Sequence, residues 1–128
     1  MDFYHVLQAK LKMLHLDESF VQRQLNHGFS GGEKKKMEIL QMLVLEPKYA
    51  ILDETDSGLD VDALKIIGTC IKYLKTKKKI GFFIITHYPR FLHHIIPDQV
   101  HILSHGQIVK SGTKSLAKEV EKKGFKKF

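Results

Sequence analysis

The chain has 128 residues, 43% of them hydrophobic, and a formal charge of +7. That length suits about one domain with a modest core, and no apolar stretch approaches the roughly 18 residues that a membrane helix needs. A lone cysteine, Cys70, excludes an internal disulfide and fits a reducing compartment. No charged segment followed by an apolar one marks a secretory signal after Met1. The basic balance raises the question of nucleic acid. Only Arg23 and Arg90 among the 21 basic residues are arginine, and the lysines fall in separate runs such as Lys34–Lys36 and Lys77–Lys79. A solvated lysine-rich surface is therefore expected, with no nucleic-acid partner.

In chain order, Asp2 to Leu14 predicts an amphipathic helix with Phe3, Leu7, Leu11 and Leu14 on one side. A short helical turn restarts at Asp17–Ser19, and Asn26, His27 and Gly28 form a loop. Ser30 opens a long helix that runs to about Leu45 and is closed by Pro47. Tyr49 to Leu52 predicts a short buried strand ending in Asp53 and Glu54. A loop through Gly58 leads to a helix over Asp62–Lys75, then a strand over Ile80–Thr86. Pro89 is expected at the first position of another helix. Gln99–Leu103 and Ile108–Lys110 predict strands joined at His105-Gly106, and a helix over Lys114–Lys123 ends at Gly124. Alternating strands and helices predict an α/β chain with a mostly parallel sheet.

Four elements carry chemistry. Asp53 and Glu54 end an apolar strand, where open α/β sheets bind ligands. One carboxylate there can hold Mg²⁺ through water, and the next can orient or deprotonate an attacking water; the plainer reading is an acidic loop. Ser30-Gly31-Gly32-Glu33 reads as a capping box, yet two glycines also bare backbone N–H groups at a helix start, where a phosphate can bind. Ser57-Gly58-Leu59-Asp60 reads as a turn with Asp60 as helix cap. His87 follows a strand, on the sheet edge that holds the acidic pair. His93, His94, His101 and His105 with Cys70 match no zinc spacing.

The order Phe29-Ser30-Gly31-Gly32-Glu33, Ile51-Leu52-Asp53-Glu54, Ser57-Gly58-Leu59-Asp60 and His87 resembles that of the ABC-type ATPases: signature loop, Walker B pair, D-loop and switch histidine. The runs Asn26–Lys36, Leu52–Leu64, Ile85–Tyr88 and Pro97–His101 resemble, more narrowly, the SufC ATPases of the Suf iron–sulfur cluster assembly system. Leu52–Thr55 and Ser115–Glu119 are most like cyanobacterial and plastid forms; the tail Lys122–Phe128 departs from them.

This resemblance implies the C-terminal part of an ABC ATPase (P-loop NTPase) domain. Residues 1–47 would be a helical-subdomain piece with the signature helix, and residues 48–128 a mostly parallel sheet with flanking helices. It implies ATP and Mg²⁺, with Asp53 at the metal and Glu54 and His87 as catalytic residues. Ser30, Gly31, Gly32, Glu33 and Asp60 would bind nucleotide across a head-to-tail dimer with a second ABC ATPase chain. SufB and SufD would be its scaffold partners, in a bacterial cytoplasm or plastid stroma.

No Gly-x-x-x-x-Gly-Lys-Ser/Thr occurs in these 128 residues, so the loop that cradles phosphates and supplies a lysine is missing from them. ATPase activity by this chain alone is not expected. The resemblance also implies that the P-loop strand would lie between the strands at Ile80–Thr86 and Gln99–Leu103, so a gap or a different pairing is expected there. A non-catalytic docking module and the ATP-binding subunit of a transporter remain as other readings.

Overall fold

The computed structural model describes residues 2–22 and 28–128. Among them are helices α1 (Phe3–Met13), α2 (Ser19–Gln22) and α3 (Gly31–Leu45), strand β1 (Tyr49–Asp53) and helix α4 (Val61–Lys77). Then come strand β2 (Gly81–Ile85), helix α5 (Phe91–Ile95), strands β3 (Val100–Ser104) and β4 (Gln107–Gly112), and helix α6 (Lys114–Lys123). Asn26 and His27 of the expected loop lie outside the described residues.

Polar residues placed by the sequence start α1, α3 and α4. The Asp2 carboxylate accepts from the Tyr4 N–H at 3.3 Å, and the Asp60 carboxylate accepts from the Ala63 N–H at 2.7 Å. At α3 the Glu33 N–H donates to Ser30 Oγ at 3.2 Å, while the Ser30 N–H donates back to Glu33 at 2.8 Å. Pro89 does not begin α5. A turn precedes it, in which the Phe91 and Leu92 N–H groups donate to the Tyr88 and Pro89 carbonyls at 3.0 and 3.1 Å.

The main core gathers Leu7, Leu11 and Leu14 of the first helix region, Ile39 and Leu43 of α3, Ile67, Ile71 and Leu74 of α4, and Phe91 of α5. Phe3, expected on the same face as Leu7, is exposed, because it sits in the first turn of α1, beyond the core. Ile102, Leu116 and Val120 form a second, smaller cluster under the β3–β4 hairpin.

The sheet differs from the expectation of one mostly parallel layer. β1 pairs with β2 in parallel, β3 pairs with β4 antiparallel, and these are two separate two-stranded sheets. β2 and β3 are thus not paired. Positive φ angles at His105 (49°) and Gly106 (78°) make the expected hairpin turn.

The expected burial of β1 also fails on one face. Side chains alternate across a strand. Ala50, Leu52, Phe82 and Ile84 meet the core, whereas Tyr49 and Ile51 are each 74% exposed and Phe83 is 63% exposed. An apolar run fixes the strand but not how many of its faces are covered. Gly81 lies opposite Tyr49 in the register, and a Cβ there would strike the Tyr49 ring at 2.6 Å.

Candidate functional site at the ends of strands β1 and β2

Parallel pairing sets the site. The register ends on Asp53 opposite Ile85, so the residues just beyond, Glu54 and Thr86-His87, emerge side by side at the C-terminal edge. The Glu54 N–H still donates to the Ile85 carbonyl at 2.9 Å. Its φ of 48° then turns the chain through the left-handed region, which few non-glycine residues adopt. The carboxylate thereby reaches His87, with Oε1 lying 3.2 Å from Nδ1. Both side chains are more than half exposed. Asp53 shares its strand face with Ile51 and Tyr49, the face left uncovered, and is itself exposed.

The other expected residues lie near this edge but are not bonded to it. Ser30 and Glu33 are engaged in the capping box, and Asp60 caps α4. The helix start sits against the loop after β1: a Cβ on Gly32 would contact Leu59 at 3.7 Å. A Cβ on Gly31 would meet nothing within 4 Å, and its φ is not of the kind that favours glycine. Neither packing nor backbone within the described chain requires glycine there. Gly58 is different: its φ of 72° suits glycine in the turn to Asp60.

Among the described residues no three histidine, cysteine, aspartate or glutamate side chains converge as a metal cluster. His93 faces Glu121 at 3.1 Å, and His101 faces Ser111 at 2.8 Å. Burial pushes the Cys70 thiol up to about 11, against weaker lowering by Lys10 and Lys36. Asp53 at the strand edge fits Mg²⁺ only as one ligand of an ion that keeps most of its waters and adds substrate oxygens.

Two further residues shape the edge; both lie inside the resembling runs Leu52–Leu64 and Ile85–Tyr88, which assigned them no role. Asp56 is 5% exposed, and its Oδ2 accepts from the Thr86 hydroxyl at 2.6 Å. Thr86 Oγ1 also accepts from the Tyr88 N–H at 2.9 Å. A polar residue directly before the histidine and an acid two residues after Glu54 were the available hints.

The likeness to solved ATP-binding cassettes gives the class. The fold is that of the C-terminal part of an ABC-type ATP-binding cassette, within the P-loop NTPases. A family model described as ABC transporter matches residues 2–57. The chain is 51% identical over 124 residues to a probable ATP-dependent transporter, slr0075, of Synechocystis, covering 97% of this chain and 48% of that protein. It thus spans about half the length of the curated relatives it matches.

Among solved structures it resembles MJ1267, an ATP-binding cassette of an ABC transporter in its ADP conformation. The TM-score is 0.70 at 26% identity, covering 97% of this chain and 48% of that one. The dimeric cassette MJ0796 shares the fold with a TM-score of 0.73 at 21% identity, over 86% of this chain and 46% of that one.

These findings correct the narrower expectation. The family model and the Synechocystis relative are both described as transporters. The SufC assignment, the iron–sulfur role and SufB and SufD as partners are therefore withdrawn. The narrower reading rested on short runs of residues, whereas the Synechocystis relative matches over 97% of the chain. Among the described residues no helix is long and apolar enough to cross a membrane.

Proposed function

We propose that this chain supplies the signature loop, acidic pair and switch histidine of an ABC-type ATPase, as part of an ATP-binding subunit of the transporter kind. The observation that carries this reading is the 3.2 Å approach of Glu54 Oε1 to His87 Nδ1 at the ends of adjacent parallel strands. In this reading Glu54 orients or deprotonates the attacking water and His87 contacts the γ-phosphate. Asp53 is the Mg²⁺ ligand; the ion, when bound, neutralises phosphate charge.

Ser30 and the N–H groups of Gly31, Gly32 and Glu33, with the loop at Asp60, face nucleotide held by a second cassette in a head-to-tail dimer. Gly31 supports this, since an interior reason for glycine is lacking while close approach of a phosphate supplies one. A lysine loop from another segment or chain must cradle the phosphates, because these 128 residues contain none.

The test is phosphate release by the full-length Synechocystis relative with and without this chain. The reading expects added turnover that depends on Ser30. Absence of any gain, at every ratio and with both proteins folded, overturns it.

A further inference from the structure

We propose that Asp56 is the residue that positions His87 against Glu54, acting through Thr86. The proposal deepens the assignment of Glu54 and His87 as the reacting edge.

The exposed pair does not fix its own geometry. An exposed ion pair contributes little, because two mobile side chains must be ordered to make it and solvent screens it. Beneath it lies a different contact. Asp56 is 5% exposed, and burying a carboxylate is costly unless it is hydrogen-bonded or paired, so the bonds it does make are constrained. Its Oδ2 takes the Thr86 hydroxyl at 2.6 Å, within the short range of charge-assisted O–H···O bonds. Its Oδ1 is buried without a hydrogen-bond partner among the described residues.

The geometry around His87 gives that bond a purpose. Thr86 precedes His87, and Tyr88, whose N–H donates to the same Thr86 oxygen at 2.9 Å, follows it. The histidine backbone is therefore bracketed on both sides by one hydroxyl, and that hydroxyl is anchored on Asp56. Asp56 in turn lies two residues beyond Glu54. Segments 54–56 and 86–88 are thus bonded twice: outside by Glu54 and His87, inside by Asp56 and Thr86. Asp56, His87 and Tyr88 also share the walls of one recess of about 170 Å³, so the inner bond and the imidazole belong to one small structure. Asp56 touches no reacting atom and is a positioning residue.

Nuclear magnetic resonance on the 128-residue chain tests this without ATP turnover, so its failure is distinguishable from failure of the ATPase reading. Three quantities are measured: the nuclear Overhauser effect between the His87 ring and the Glu54 side chain, exchange of the Tyr88 amide, and the melting temperature. Thr86→Val and Asp56→Ala should each weaken the His87–Glu54 effect by half or more. Thr86→Val should speed Tyr88 exchange about tenfold. Thr86→Ser and Asp56→Asn keep a donor and an acceptor and should restore both signals. If Asp56→Ala does not fold, the Thr86→Val and Thr86→Ser pair decides alone. A His87–Glu54 effect unchanged in Thr86→Val, whatever its melting temperature, overturns the proposal. So does an equal loss in Thr86→Ser.

Discussion

His87 Nδ1 lies 3.2 Å from Glu54 Oε1, although 33 residues separate them in the chain. The parallel register of β1 and β2 makes that meeting possible, and the left-handed turn at Glu54 completes it. What the pair can do alone is limited by what holds the nucleotide.

The isolated chain should therefore not hydrolyse ATP above background. An acidic pair cannot position phosphates without the backbone cradle and lysine of a P-loop. Phosphate release at millimolar Mg-ATP measures it, and turnover that vanishes in Glu54→Gln would contradict it.

Mixed with a full-length relative, the chain should complete at most one of two composite sites. Ser30→Arg should abolish the gain, because it fills the helix start offered to the partner's nucleotide. Glu54→Gln should leave the gain largely intact, because Glu54 serves a nucleotide on its own side. The reverse order of damage would show that the roles within and across the dimer are exchanged.

Much of this was legible in the chain itself. The helix caps at Ser30 and Asp60, the Lys114–Lys123 helix and the His105-Gly106 turn follow from local chemistry, and the structure has them. The acidic pair and His87 were readable because strand ends converge by topology. Burial was not readable. Tyr49, Ile51 and Phe83 look like core residues, yet nothing in the sequence says that one face of their sheet stays open. Nor could spacing show that Asp56 turns inward to Thr86, since that contact joins positions 30 residues apart. The narrower family assignment failed for another reason: it rested on short runs of residues.

The open face should make the isolated chain associate. Tyr49, Ile51, Phe83 and Ile85 present a patch of neighbouring apolar side chains, and such patches mark interaction surfaces or aggregation liabilities. β2 also lacks a neighbour on its outer side among the described strands. Sedimentation should show a concentration-dependent rise in mass that Ile51→Thr with Phe83→Thr reduces. A monodisperse monomer of the unaltered chain that melts cooperatively above about 60 °C would refute the expectation.

Removing the α4 cap should cost stability while leaving the Glu54–His87 pair in place. Asp60→Ala deletes the 2.7 Å bond to the Ala63 N–H, a loss of about 1 kcal/mol. Thermal denaturation should show a midpoint lower by several degrees. Asp60→Asn or Asp60→Ser should recover most of it.

Cys70 should be inert in the folded chain. Its thiol is pushed up to about 11 by burial, and only the thiolate attacks disulfide reagents. The unfolded thiol titrates near its ordinary value of about 8.5. The group therefore contributes its full stability below that pH and loses it as pH rises towards the folded value. Labelling at pH 8 should be slow and should accelerate on denaturation; fast labelling of the native chain would show that Cys70 is accessible.

The two apolar clusters share no residue. Polar contacts bridge them: Glu121 of α6 receives Arg90 at 2.9 Å and His93 at 3.1 Å from the α5 side. The exposed Arg90–Glu121 ion pair weakens as salt screens it, whereas apolar packing does not. Ionic strength thus acts as a selective solvent for this seam. Salt therefore weakens the Arg90–Glu121 contact across this seam and leaves the apolar packing behind the strand ends of Glu54 and His87 as it is.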